Sequence, residues 1–125
     1  MATILVVEDN DAVSLQLESW LKKIGHKVVR INDGYNAFAA FEEHRPGLVV
    51  LDYHLPAASG TQVYQRIRSL AYGAKTPVIF LSGEPPAELM FAVPAGDPAR
   101  FLQKPVLEKV FSDTLAELLA PPQPK

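Results

Sequence analysis

The sequence predicts an α/β protein in which five buried strands alternate with helices, a (βα)5 arrangement around a parallel sheet. Short continuous apolar runs recur along the 125 residues, as in strands that are buried on both faces. Stretches with apolar residues at helical spacing separate these runs. Apolar residues make up 48% of the chain, enough for one core. Alternation of this kind predicts a doubly wound fold with helices on both faces of the sheet.

The strands follow from the apolar runs. They are predicted at Thr3–Val7, Lys27–Ile31, Gly47–Asp52, Pro77–Leu81 and Arg100–Gln103. A first helix follows the first strand, where Asn10 or Asp11 can cap its N-terminus and Gly25 stops it. The inward face of this helix is predicted to consist of Val13, Leu17, Trp20, Leu21 and Ile24.

Three further helices are predicted from the same periodicity. The second contains Ala37, Phe38 and Phe41 and ends before Pro46, because proline disfavours helix at the residue before it. The third is Gly60–Leu70. The last spans about Val106–Leu119, and the residues predicted to face inward are Leu107, Val110, Phe111, Leu115 and Leu118.

Proline shapes two other segments. Between the last two strands, Pro94 breaks a continuing helix, so we expect a short helix at Pro86–Ala92 and a loop at Ala95–Pro98. At the C-terminus, Pro121–Lys125 cannot extend the last helix and is predicted to be a proline-rich tail or truncated linker. The chain is therefore expected to hold one domain, residues 1–120, and a tail at residues 121–125.

The composition excludes several classes of protein. The formal net charge is −2 and the 12 Lys and Arg residues are scattered, so direct nucleic-acid binding is not expected. The absence of cysteine excludes disulfides and cysteine-based metal sites and fits a reducing compartment. No charged segment precedes the short N-terminal apolar run, and no apolar stretch approaches ~20 residues, so neither a signal peptide nor membrane association is expected. We expect a cytoplasmic protein.

Polar side chains follow four of the five predicted strands, and the carboxyl ends of parallel strands share one edge of a sheet. In chain order these residues are Glu8-Asp9, Asp52, Ser82-Gly83 and Lys104-Pro105. Three neighbouring carboxylates raise one another's pKa, and one ammonium cannot balance them. Mg²⁺ prefers such hard oxygen ligands. The set predicts a magnesium site suited to phosphoryl transfer, in which a carboxylate could accept the phosphoryl group.

These motifs, together with the segment Asp52–Gly60, resemble the receiver domain of two-component response regulators. All four match in order and spacing, and the resemblance extends from Ala2 to about Leu119. It implies a flavodoxin-like fold with strand order 2-1-3-4-5. It also implies a phosphoacceptor in a phosphorelay that switches conformation to control a partner. Such a chain is not an enzyme with a separate substrate, but it catalyses its own phosphorylation and slow autodephosphorylation.

The resemblance implies the phosphoacceptor and the metal ligands. Asp52 would take the phosphoryl group from a phosphohistidine of a sensor histidine kinase or a histidine phosphotransfer protein. Asp9 and Asp52 would bind Mg²⁺, or Mn²⁺ in its place, with Glu8 acting through water. The backbone carbonyl of His54 would be a further ligand. A downstream output protein would be the second partner, and the chain would be a monomer or a weak dimer.

The resemblance also implies a set of residues that bind and report the phosphoryl group. The Ser82 hydroxyl, the backbone N–H of Gly83 and the Lys104 ammonium would contact the phosphoryl oxygens. Ser82 and Phe101 would form the conformational switch. The peptide bond between Lys104 and Pro105 would be cis.

Three other functions stay open at this point. A receiver-fold interaction module would work without phosphorylation, as the proline-rich segment before the last strand allows. An aspartate-nucleophile phosphohydrolase normally carries a second aspartate two residues after the nucleophile, where this chain has His54. A flavin binder on this fold class would need a phosphate-binding loop after the first strand, where Glu8, Asp9 and Asp11 would repel phosphate.

Overall fold

The structure, a computed structural model, describes residues 2–83 and 93–119. Its strands are β1 (Thr3–Val7), β2 (Lys27–Ile31), β3 (Leu48–Asp52), β4 (Val78–Ser82) and β5 (Ala99–Gln103). The helices of the described part are α1 (Asp11–Lys23), α2 (Gly34–His44), α3 (Gly60–Arg68) and α4 (Glu108–Leu119), and a 3-10 turn covers Ala71–Gly73. The predicted helix at Pro86–Ala92 and the predicted tail at Pro121–Lys125 lie outside the described residues.

The five strands form one parallel sheet in the order β2-β1-β3-β4-β5. The flavodoxin-like, doubly wound fold is therefore confirmed. In the register, Val7 pairs with Leu51 and Asp52 pairs with Leu81. The carboxyl ends of β1, β3 and β4 thus lie next to one another, which brings the residues that follow these strands to one edge.

Alternate residues of the central strands supply two cores, one on each face of the sheet. Along β1, Leu5 and Val7 belong to the cluster that packs against α2 and α3, whereas Ile4 and Val6 belong to the cluster beneath α1 and α4. This alternation follows from the period of two in a strand. Because both faces are covered, the sheet is a rigid platform for the residues at its edge.

Polar side chains begin the first three helices. Asn10 accepts a hydrogen bond from the backbone N–H of Val13, as the sequence predicts for α1. Asp33 likewise accepts a hydrogen bond from the backbone N–H of Asn36 at the start of α2. Ser59 caps α3 by accepting from the Gln62 N–H, and its own backbone N–H donates to the Gln62 side chain, which completes a capping box. These caps satisfy backbone groups that would otherwise lack partners.

Two of the predicted inward positions on α4 are wrong. Leu107 is 65% exposed and Val110 is 45% exposed, whereas Phe111 and Leu115 are buried. The helix begins at Glu108, so Leu107 precedes it and leaves the helical face. Val110 lies one residue, about 100°, from the buried stripe.

The end of α1 departs from the prediction in a similar way, because Ile24 is 50% exposed. It lies beyond the last helical residue, at the C-cap. Gly25 follows with a φ of +94°, which is the left-handed conformation that favours glycine at a helix end. No helix in residues 2–83 or 93–119 is long and apolar enough to cross a membrane.

Candidate functional site

Three acidic side chains meet at the carboxyl edge of the sheet. Glu8 and Asp9 follow β1, and Asp52 is the last residue of β3. One carboxylate oxygen from each lies within 4.8 Å of the others. Glu8 and Asp52 are 1% and 3% exposed, whereas Asp9 is exposed to solvent. The prediction that the acids following these strands lie close together is thus correct.

Lys104 places a positive charge between two of these acids. Its ammonium lies 3.0 Å from Glu8 Oε2 and 3.2 Å from Asp52 Oδ2. The residue follows β5 directly, and its backbone N–H donates to the Ser82 carbonyl at 2.8 Å. The peptide bond to Pro105 is cis, the geometry that the resemblance implies. One cation is thus shared by two buried carboxylates.

The pKa values of Glu8 and Lys104 indicate that the site has too little positive charge to balance its carboxylates. Burial raises the pKa of Glu8 to about 7, and the charge of Asp52 adds to the rise. Hydrogen bonds from Lys104 and the Asn10 N–H oppose it. Burial lowers the pKa of Lys104, but its bonds and charge interactions with Glu8 and Asp52 outweigh burial and raise it. The sequence suggests that repulsion between carboxylates dominates, yet desolvation is the larger cause at Glu8.

The donor set fits a hard divalent cation. Glu8 Oε2 is buried and, although Lys104 is near, receives no well-directed hydrogen bond from the described residues. Asp9 faces solvent at the open side of the group. Carboxylate oxygens at the rim of an open edge, with room for water, are the ligands that Mg²⁺ takes in proteins.

The connection after β3 holds Asp52 in place. The backbone N–H of His54 donates to Asp52 Oδ1 at 3.1 Å, and the N–H of Gly60 donates to the Tyr53 carbonyl at 2.9 Å. A Cβ atom at Gly60 would lie 2.6 Å from the Asp52 carbonyl oxygen. This packing requirement for glycine is not visible in the sequence pattern, since it depends on how closely α3 approaches the end of β3.

An open cleft lies beside the acids. It has a volume of about 780 Å³. Its lining consists of Asp9, Tyr53, His54, Leu55, Pro56, Ser59, Thr61 and Gln65. The exposed His54 ring stands edge-on against the Tyr53 ring, with 4.9 Å between centroids. Asp9 is the member of the acidic group that lines this cleft.

The predicted phosphate-binding and switch residues lie on β4 and β5. Ser82 ends β4 and is 1% exposed. Gly83 follows and is exposed, and its carbonyl accepts a hydrogen bond from the Gln103 side chain at 3.2 Å. Phe101 is half-buried in β5 and pairs in register with Phe80. The roles assigned to Ser82, Gly83 and Phe101 stay predictions.

Comparison with known sequences is consistent with this geometry. A family model described as the response regulator receiver domain matches residues 4–116. Protein PilH of Pseudomonas aeruginosa is 29% identical over 122 residues, which cover 96% of this chain and 99% of PilH. The sensory/regulatory protein RpfC of Xanthomonas campestris is 34% identical over 117 residues, or 92% of this chain. The match spans 16% of the length of RpfC.

Solved structures have the same fold. The chemotaxis protein CheY4 of Vibrio cholerae superposes with a TM-score of 0.87 at 24% identity, covering 95% of this chain and 99% of CheY4. The receiver domain of the sensor histidine kinase PA1611 from Pseudomonas aeruginosa has a TM-score of 0.85 at 24% identity. The superposition covers 96% of this chain and 98% of that domain, whose structure has a magnesium ion coordinated in its active site cleft.

Proposed function

Because this chain belongs to the response regulator receiver domain family, we propose that it accepts a phosphoryl group on Asp52 and then changes conformation to control a partner. The observation that carries the proposal is the buried Asp52 carboxylate, with Lys104 at 3.2 Å and two further acids within reach of one cation. The donor would be a phosphohistidine of a sensor histidine kinase or of a histidine phosphotransfer protein.

The proposed chemistry is a phosphoryl transfer between two nucleophiles. A carboxylate oxygen of Asp52 forms the new bond to phosphorus while the bond from phosphorus to the imidazole nitrogen breaks. The electron pair of that bond returns to the imidazole, and the product is an aspartyl phosphate. The backbone N–H of His54, which donates to Asp52 Oδ1, keeps the carboxylate in one orientation for the attack.

Lys104 has a second task in this proposal. Its ammonium, now shared by Glu8 and Asp52, would contact a phosphoryl oxygen once the group arrives. The Ser82 hydroxyl and the N–H of Gly83 would contact the other oxygens. Because contacts to phosphoryl oxygens exist only in the phosphorylated state, they would shift the population toward a second conformation. Phe101 would change its position in response.

Mg²⁺ would be held by Asp9, Asp52 and the carbonyl of His54, with Glu8 reaching it through water. When bound, the ion supplies positive charge that offsets the three carboxylates and the phosphoryl oxygens. The chain's own groups supply the nucleophile and its orientation. Support for the ion comes from the three converging acids and the raised pKa of Glu8.

Incubation with acetyl phosphate and Mg²⁺, followed by intact-mass measurement, tests this function without a partner protein. We expect one phosphoryl group per chain and none when a chelator removes the metal. Asp52→Asn should abolish the addition. Asp113→Asn, which changes an exposed acid on α4, should leave it unchanged. A parent protein that stays unmodified would favour an interaction module that works without phosphorylation.

A further inference from the structure

A polar network joins α3 to the two connections that flank β4. The Asp97 carboxylate accepts hydrogen bonds from the Tyr64 hydroxyl at 2.9 Å and from Arg68 Nη2 at 2.8 Å. Arg68 Nη1 also donates to the carbonyls of Gly73 and Thr76. The Arg68 and Asp97 side chains are 13% and 9% exposed. We call Tyr64, Arg68 and Asp97 the α3 network.

The α3 network adjoins the aromatic rings of the sheet. The Tyr64 ring packs against the Phe80 ring, with 5.3 Å between centroids. Phe80 pairs in register with Phe101, and paired residues of parallel strands project from the same face. Phe101 packs against the cluster that contains Tyr64 and Phe80. Phe101, Phe80 and Tyr64 therefore pack on this face of the sheet, and the Tyr64 hydroxyl links them to Asp97 in the turn before β5.

The charges of the α3 network favour one fixed arrangement. Burial would raise the pKa of Asp97, but hydrogen bonds from Arg68 and Tyr64 and the charges of Arg68 and Lys75 outweigh it and hold the pKa low. Burial raises the pKa of Tyr64, and its bond to Asp97 adds to the rise. The hydroxyl thus keeps its proton and donates to an ionised carboxylate, a hydrogen bond stronger than a neutral one.

The network also fixes the connection that leads into β5. Asp97 lies in a turn in which its backbone N–H donates to the Pro94 carbonyl at 3.1 Å, and its own carbonyl accepts from the N–H of Ala99 at 2.8 Å. Gly96 has a φ of +85°. The predicted loop at Ala95–Pro98 is thus present, and its main side-chain anchor to α3 is Asp97.

We propose that the α3 network stabilises the unphosphorylated conformation and that it opens when Phe101 moves inward. The proposal rests on the proposed function, which has Phe101 change position after Asp52 is phosphorylated. Phe101 and Tyr64 pack on the same side of the sheet with Phe80 between them, so a ring that moves inward displaces Tyr64 from Asp97. The turn before β5 then loses the hydrogen bond from Tyr64 to Asp97. Phosphorylation of Asp52 would thus change the conformation of a surface away from the acids.

Tyr64→Phe tests this inference, because it removes the hydroxyl and keeps the ring. The measurement is calorimetric titration with beryllofluoride and Mg²⁺, where beryllofluoride stands in for the phosphoryl group. Removing a bond that exists only in the unliganded conformation should tighten binding about three- to tenfold. Tyr35→Phe is the matched control, since Tyr35 is 78% exposed, and it should bind like the parent.

Equal or weaker binding by Tyr64→Phe would overturn the inference while leaving the proposed function intact. A parent that binds no beryllofluoride would overturn both, so the two failures are distinguishable. Hydrogen exchange on the parent adds a test that needs no variant. Beryllofluoride should speed exchange at the Asp97 and Ala99 amides several-fold, and unchanged exchange in the bound protein would also contradict the inference.

Discussion

Two neighbouring acids of one motif have different surroundings. Glu8 is buried and is held by the Lys104 ammonium and the Asn10 N–H, whereas Asp9 is exposed at the open side of the site. To bind a metal ion directly, a buried carboxylate such as Glu8 must give up its hydrogen bonds and its ion pair. An exposed carboxylate such as Asp9 has to give up only bound water. The difference explains why adjacent residues of one type can have separate roles in the proposed magnesium site.

At this scale we expect Asp9→Asn to weaken Mg²⁺ binding more than Glu8→Gln. Loss of a direct ligand should lower the affinity by roughly a hundredfold, and loss of an indirect one by roughly tenfold. Calorimetric titration with Mg²⁺ gives both values. Asp11→Asn, which changes an exposed acid outside the group of three, is the control. Parent-like affinity in Asp9→Asn would show that this carboxylate is not a ligand.

The individual helices and strands show which parts of a fold are encoded locally. Apolar runs placed all five strands within one residue of their observed ends. The central strands β1, β3 and β4 are buried on both faces as predicted. The edge strands β2 and β5 are partly exposed and contain polar residues, so the prediction of five buried strands is wrong for these two. The caps of α1 and the glycine after it were also predictable. The inward face of α4 was not fully predictable, since Leu107 would share the face of Phe111 only if the helix began earlier.

The corrected face of α4 makes a prediction about stability. Phe111→Ala should lower the free energy of unfolding by about 3–5 kcal/mol, because the ring is buried against Trp20 and leaves a cavity. Val110→Ala, at a position 45% exposed, should cost less than ~1 kcal/mol. Urea unfolding measures both. If the two variants lost similar free energies of unfolding, Val110 would be buried like Phe111, as the sequence periodicity predicts.

At the scale of the whole molecule, contacts between distant residues set what the sequence leaves open. The strand order came from the family resemblance, because local periodicity does not specify which strands pair. The acids at the sheet edge were predictable, since parallel strands deliver their ends together. A raised carboxylate pKa was also predicted, but from repulsion between the acids. Burial, the larger cause of the raised pKa of Glu8, was not predictable, because it depends on how the whole chain packs. The pair of Arg68 and Asp97, 29 residues apart, likewise has no local signature.

That long-range pair makes stability depend on pH. The pKa of Asp97 is held below its ordinary value of 3.8, so its stabilisation is fully present above that value and is lost as the pH falls through the lower, folded-state pKa. Asp97→Asn should therefore reduce the free energy of unfolding by about 3 kcal/mol at pH 7 and by less near pH 3. Urea unfolding at both values measures the difference. Asp113→Asn is the control, and an equal loss at both pH values would contradict the assignment.

Chemical trapping of the modified residue tests the central claim most directly. Borohydride reduces an acyl phosphate to an alcohol, so an aspartyl phosphate becomes homoserine, which peptide mass spectrometry locates. After treatment with acetyl phosphate and Mg²⁺, we expect homoserine at position 52 and at no other acid, and none when the metal is withheld. Homoserine at position 9 would contradict the assignment of Asp52 as the phosphoacceptor. A protein treated with acetyl phosphate and Mg²⁺ that contains no homoserine at any position would contradict it as well.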